Sequence, residues 1–305
     1  MKIIIDTDPG KDDAVAILLA LASPELDLLA LTAVAGNVPL ARTERNARAL
    51  LALGGRPDLP VYPGSPRPLM RPPITAEHIH GDTGLTGLIL PEPATPARPE
   101  HAVTYLIQTL RTEPANTITL CLLGPATNLA TALVMAPDIA PRIAHLVWMA
   151  GAATEGGNVT PSAEFNVHAD PDAAHIVLTA GLPTTLIPLD LTHQLRLDAP
   201  RRAALQAIDT NAARAIATLF APLTADDEAD APLHDPCVIA HLLQPGLFTG
   251  PTLNVAIELQ GTLTLGMTVI DRRGRTTRPP NATWLERADP DAFFDLLFTR
   301  LSRLP

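Results

Sequence analysis

The chain has 305 residues, 47% apolar and 18% charged, which suits one large α/β domain with a full core and excludes a disordered composition. Its formal net charge of −10, from 32 acidic against 22 basic residues, argues against wrapping a phosphate backbone. Aromatics at 3% are too few for rows of base-stacking platforms on single strands, so neither a nucleic-acid nor a membrane partner is expected.

The predicted elements alternate. Lys2–Ile5 reads as a short strand and Ala14–Ala22, apolar nearly all round, as a buried helix. Leu28–Val34 reads as a strand and Arg42–Leu53 as a helix closed by Gly54-Gly55. Pro57–Pro73 and Pro91–Pro99 read as irregular connections. His101–Arg111 is a predicted helix, Thr117–Leu123 a strand, Thr127–Met135 a helix and His145–Met149 a strand. Asp170–Ala180 is a predicted helix and Thr184–Leu189 a strand. Such alternation predicts parallel strands joined by right-handed crossovers. Continuous apolar strands predict a sheet covered on both faces.

Beyond Leu191 the pattern changes. Arg201–Leu219 reads as one Ala-rich helix, Thr224–Pro232 as a mobile acidic loop and Asp235–Leu243 as a helix. Leu253–Leu259 and Gly266–Ile270 read as a small antiparallel addition, and Pro290–Leu301 as a closing helix. The expected architecture is a single domain over residues 1–305 with a mostly parallel, Rossmann-like central sheet. The apolar run Ile3-Ile4-Ile5 stops at Asp6, short of the roughly 7–15 residues of a secretory core. The run from Ala14 breaks at Ser23-Pro24, below the roughly 20 residues of a membrane span. Cys121 and Cys237 lie in apolar surroundings, as buried thiols of a reducing cytoplasm do.

Ligands of open parallel sheets sit beyond the carboxyl ends of the strands. At the first such end stands Asp6-Thr7-Asp8-Pro9-Gly10-Lys11-Asp12-Asp13, with four carboxylates in eight residues. Two carboxylates about 4 Å apart repel by roughly 4 kcal/mol at an effective dielectric near 20. A helix N-terminus returns only about 0.3–1 kcal/mol to each. A bound cation is the stronger remedy, and an all-oxygen set favours Ca²⁺ or Mg²⁺. A capped helix behind a solvated acidic turn is the structural alternative. Gly36-Asn37 and Gly124-Pro125-Ala126-Thr127-Asn128 read, taken singly, as turns. Gly157-Asn158 through Glu164-Phe165-Asn166 suits a polyhydroxylated ligand or a solvated loop. His234-Asp235-Pro236 is either a helix start with Pro in its first turn or a general-acid pair. His80-Gly81-Asp82-Thr83-Gly84 is a weaker, Gly-rich feature. His193 reads as structural, and Trp148 and Trp284 as core or interface residues.

Taken in order, these segments resemble the inosine-uridine preferring nucleoside hydrolases from the first strand to about residue 245. The Asp6–Ala14 stretch looks like that family's N-terminal signature. The resemblance implies a Ca²⁺-dependent enzyme that cleaves the N-glycosidic bond of ribonucleosides. By position, Asp8, Asp13, Asp235 and a main-chain carbonyl just before Gly124, that of Leu123, would ligate Ca²⁺. Asp8 would also be the base that deprotonates the attacking water. Asp12, Asn37, Asn158, Glu164, Asn166 and Asp235 would hold the ribose, with Asp6 behind them. His80 and His234 would lie near the base, with His234 the proton donor to the leaving group. Family members are commonly homodimers or homotetramers.

Met149-Ala150-Gly151 departs from the family's usual Met-Gly-Gly, and the added methyl is expected to narrow the sugar pocket or shift its loop. The loop Thr224–Pro232 lacks aromatics, which removes base stacking from that segment. Retention of His234 points to broad or pyrimidine-leaning specificity. Two rivals remain: a Mg²⁺-dependent Asp-x-Asp phosphatase and a catalytically weak ribose- or nucleoside-binding paralogue. The phosphatase would need a downstream lysine, and none follows Lys11.

Overall fold

The computed structural model describes residues 1–90, 92–221 and 230–305. Six strands lead the chain: β1 (Lys2–Thr7), β2 (Asp27–Ala33), β3 (Val61–Pro63), β4 (Ile118–Leu122), β5 (Ile143–Met149) and β6 (Thr184–Ile187). They form an eight-stranded sheet in the order 252–253, 282–284, β6, β5, β4, β1, β2, β3. Every neighbouring pair is parallel except Thr252–Leu253 against Ala282–Trp284 at the edge. The fold is thus a single α/β domain, as the alternation predicts. The sheet reverses direction of growth between β1 and β4, where a ligand crevice forms.

Period-two side-chain alternation sorts each strand between two cores. Ile3 and Ile5 of β1 and Val147 and Met149 of β5 face one core. It includes the helices Lys11–Leu21, Asn211–Leu219, Pro236–Leu243 and Pro290–Leu301. Ile4, Leu146 and Trp148 face the other, with the helices Ala102–Thr112, Thr127–Met135 and Pro171–Thr179. Ile3, Ile4 and Ile5 are at most 1% exposed; each such side chain stabilises the fold by roughly 1.5–3 kcal/mol. Both thiols are buried and unpaired.

Several boundaries differ from expectation. The predicted helix 201–219 is two helices, Ala199–Gln206 and Asn211–Leu219. The second starts at Thr210, whose side chain accepts the Ala213 N–H, a capping bond that competes with helix continuation. β1 runs on through Asp6 to Thr7, because Asp6 still pairs with Leu122 and Thr32 on either side. Val61–Pro63 adds an edge strand within the Pro-rich connection. Val255–Ile257 pairs antiparallel with Thr268–Ile270. Of the predicted loop Thr224–Pro232, residues 224–229 lie outside the described residues. Ala231–Pro232 pairs antiparallel with Arg196–Leu197. Among the described residues, no helix is long and apolar enough to cross a membrane.

Candidate active site

Asp8 leaves the end of β1 fully buried. Its Oδ2 accepts the Asn37 N–H at 2.7 Å, while its Oδ1 is buried without a hydrogen-bond partner. Glycine is required on both sides of this carboxylate: a Cβ at Gly36 would collide with Oδ2, and one at Gly124 with Oδ1. Burial, then the charge of Asp13, pushes the Asp8 pKa well above the ordinary carboxylate range.

Asp13 sits at the third position of the helix Lys11–Leu21 and accepts the Gly10 N–H at 3.0 Å. It also accepts from Thr7 Oγ1 at 2.5 Å, the Asp8 N–H at 3.2 Å and Asn37 Nδ2 at 3.2 Å. The capped-helix alternative is therefore partly correct for Asp13. It fails for Asp235. That residue precedes Pro236 at a helix start, yet its side chain caps nothing. Instead its carboxyl is hydrogen-bonded to Asp13 and lies in the field of Asp12 and Asp8. Burial, then Asp13, raises its pKa strongly. Asp12 is pushed up to about 7 by burial and accepts the His234 N–H at 3.4 Å. Four carboxyl groups from two distant segments thus converge.

The remaining predicted residues surround them in different ways. Asn37 Nδ2 also donates to the Asp8 carbonyl at 3.1 Å. Asn166 Nδ2 donates to the carbonyls of Leu123 at 2.7 Å and Met149 at 3.0 Å. Leu123 is anchored by its own N–H to the Asp6 carbonyl at 2.8 Å. Glu164 is buried and accepts the N–H groups of Gly151, Asn166 and Val167 at 2.9, 2.8 and 3.2 Å. Burial still pushes its pKa up to about 7. Asn158 is exposed, and its Oδ1 accepts the Phe165 N–H. His80 Nδ1 accepts the Lys11 N–H at 3.2 Å, with its pKa lowered by burial to about 4. Burial, then His193 and His80, lowers His234 to about 3. Asp6 stands behind, its Oδ2 accepting from Thr32 and Asn128 at 2.6 and 2.8 Å. Burial raises its pKa to about 7.

One expectation changes. The Ala150 side chain joins the core that holds Trp148 and Leu146, because the residue continues the alternation of β5. Its methyl therefore does not narrow the pocket. Gly151, at φ +87°, instead turns the chain and gives its N–H to Glu164. The structural reading of His193 stands unopposed: its Nδ1 meets Glu155, and its ring lies 5.8 Å from that of His234. Three polar residues around the site were given no role: Thr7, Asn128 and Thr192; Trp148 lies in the core as expected, and its indole N–H also reaches the site. Thr192 Oγ1 meets His234 Nδ1 at 2.8 Å, and Trp148 Nε1 holds the Gly124 carbonyl at 3.0 Å. Thr7 and Asn128 stand inside segments already singled out, which was the available signal.

Among the described residues, no three His, Cys, Asp or Glu side chains form a ready-made cation cage. Asp13 already accepts from Thr7, Asp8, Gly10 and Asn37. The donor chemistry nevertheless fits a hard divalent cation. Buried carboxylates converge, Asp8 Oδ1 is unpartnered, and Gly36 and Gly124 clear the space around Asp8.

Residues 3–295 match the model of the inosine-uridine preferring nucleoside hydrolase family. The chain is 48% identical over 310 residues to an uncharacterised protein of Schizosaccharomyces pombe, covering all of both. It is 45% identical over 306 residues, 98% of each chain, to the pyrimidine-specific ribonucleoside hydrolase RihA of Photobacterium profundum. A plant nucleoside hydrolase structure aligns with TM-score 0.90 at 33% identity, covering 99% of this chain and 98% of that one. A purine-preferring ribonucleoside hydrolase from Gardnerella vaginalis aligns at 0.91 and 32%, with the same coverage. The chain belongs to the inosine-uridine preferring nucleoside hydrolase family and is a hydrolase of N-glycosyl bonds.

Proposed function

We propose that this enzyme hydrolyses ribonucleosides to ribose and free base in a Ca²⁺-dependent reaction, with broad or pyrimidine-leaning specificity. The observation that carries this reading is the Asp235–Asp13 contact beside Asp8. Asp8, Asp13, Asp235 and the Leu123 carbonyl would hold the ion. Bound there, Ca²⁺ supplies the positive charge these acids lack and polarises a water. The Leu123 carbonyl has a second lone pair beyond the one that serves Asn166.

Asp8 accepts the proton of the attacking water: its Oδ1 is buried beside the other acids with no hydrogen-bond partner. Asp12, Asn37, Asn158, Glu164, Asn166 and Asp235 grip and orient the ribose. The surrounding carboxyl groups oppose the positive charge that gathers on the sugar as the C1′–N bond breaks. His80 and His234 face the base, and His234 offers it a ring N–H as negative charge moves onto the departing nitrogen. The pyrimidine leaning is supported by 45% identity to a pyrimidine-specific relative against 32% to a purine-preferring one. A neutral nucleoside needs no basic pocket, consistent with a net charge of −10.

The test is release of reducing sugar from uridine, cytidine and inosine, with and without a chelator and with Ca²⁺ restored. The expected result is activity lost to chelation, recovered with Ca²⁺, and at least as high on uridine as on inosine. Ligand binding without turnover would reduce the protein to a nucleoside-binding paralogue.

A further inference from the structure

We propose that Thr192 is a positioning residue for His234, holding the imidazole so that Nε2 rather than Nδ1 serves the departing base. This rests on the hydrolase reading above. Thr192 is fully buried and ends the short helix Leu189–Thr192 that follows β6. Its main chain is held on both sides: its N–H donates to the Pro188 carbonyl at 3.1 Å, and its carbonyl accepts from Leu195 at 3.0 Å. The hydroxyl therefore projects from a rigid mount. A helical threonine often turns its hydroxyl back to a carbonyl of the preceding turn. Here the hydroxyl lies 2.8 Å from His234 Nδ1 instead.

His234 is gripped at two further points. Its N–H donates to Asp12 Oδ1 at 3.4 Å, and its carbonyl accepts the Cys237 N–H at 3.2 Å. A fixed backbone and one engaged ring nitrogen together oppose a ring flip, which would put Cδ2 in the place of Nδ1 and lose the bond to Thr192. Nε2 is then the nitrogen left to meet a substrate. A neutral imidazole carries one donor and one acceptor nitrogen. A threonine hydroxyl that donates to Nδ1 selects the tautomer with its proton on Nε2, the form that can give a hydrogen bond to a leaving base. Neighbouring His193 does not fill this role. Its Nδ1 is engaged by Glu155 at 3.1 Å, and its ring stands tilted at 56° to that of His234.

The experiment compares Thr192→Val, which keeps the shape and removes the hydroxyl, with Thr192→Ser, which keeps the hydroxyl. Each is assayed on uridine and on para-nitrophenyl riboside, whose leaving group needs little assistance. Thr192→Val is expected to lower kcat on uridine roughly 10- to 10²-fold with KM little changed, a share of the 10²–10⁴ that proton transfer contributes. The nitrophenyl riboside should stay within about 3-fold, and Thr192→Ser should recover most of the loss. Thr192→Val added to His234→Ala should cost nothing more. Equal losses on both substrates, or additive losses in the double variant, would overturn the proposal. A reading that needs no substitution is the ¹⁵N spectrum of the wild-type His234 ring: an unprotonated Nδ1 is expected, and a protonated one contradicts the account. Wild-type protein that released no ribose from any nucleoside would remove the hydrolase reading itself. An active wild type with an unaffected Thr192→Val would remove only the role of Thr192.

Discussion

The proposed role of Asp8 as the base rests on what surrounds it. One oxygen is spent on the Asn37 N–H, the other has no partner, and glycines on both sides leave room for nothing larger. Asp8→Asn keeps an oxygen for the Asn37 N–H, so the fold should survive. It removes the proton acceptor, and kcat on uridine should fall at least about 10²-fold. A variant within a few-fold of wild type in the same ribose-release assay would dismiss Asp8 from this role. At this scale the acids were legible because four of them crowd around Pro9-Gly10 and their repulsion demands an explanation. Thr192 was not legible. A threonine in an apolar stretch reads as a strand or helix residue, and its partner lies 42 positions on.

At the scale of elements, strands were legible as uninterrupted apolar runs and most helices as Ala- and Leu-rich segments. Thr127–Met135 and Pro290–Leu301 have the predicted bounds. The misses follow from local bonds. Thr210 captures the Ala213 N–H and splits one predicted helix into two, and Val61–Pro63 is too short to stand out among prolines. The helix Pro236–Leu243 carries both Asp235 at its start and His241 near its end, and the second gives a test of its packing. His241 stacks near Phe248, and its Nδ1 is buried without a partner. Burial, then the charge of His145, lowers its pKa to about 4 from the ordinary 6.5. The unfolded chain takes up this proton first as pH falls. The stability gained by keeping the ring neutral is thus complete above pH about 6.5 and lost between about 6.5 and 4. Thermal melts of wild type and His241→Phe across that window should show a smaller acid-side decline in the variant. Parallel declines would mean that His241 titrates freely in the folded protein.

Over the whole molecule, the sheet assembles the site. β1 delivers Asp6 and Asp8, β2 delivers Asn37, β4 delivers the Leu123 carbonyl, β5 leads to Gly151 and Glu164, and β6 leads to Thr192. Only Asp235 and His234 come from the later helical layer, packed against the helix that carries Asp12 and Asp13. The order of segments made this convergence readable before any geometry was known. Side-chain direction did not follow from order alone. Ala150 was placed against the sugar by sequence neighbourhood, and the alternation of β5 turns it into the core instead. The central claim is that acids from both segments share one divalent ion. Calorimetric titration of the chelator-treated protein with Ca²⁺ tests it most directly, using wild type, Asp13→Asn and Asp235→Asn. The account predicts one ion per chain in wild type and affinity weakened at least about tenfold in each variant. Wild type that binds no Ca²⁺, or variants that bind it as tightly as wild type, would contradict it.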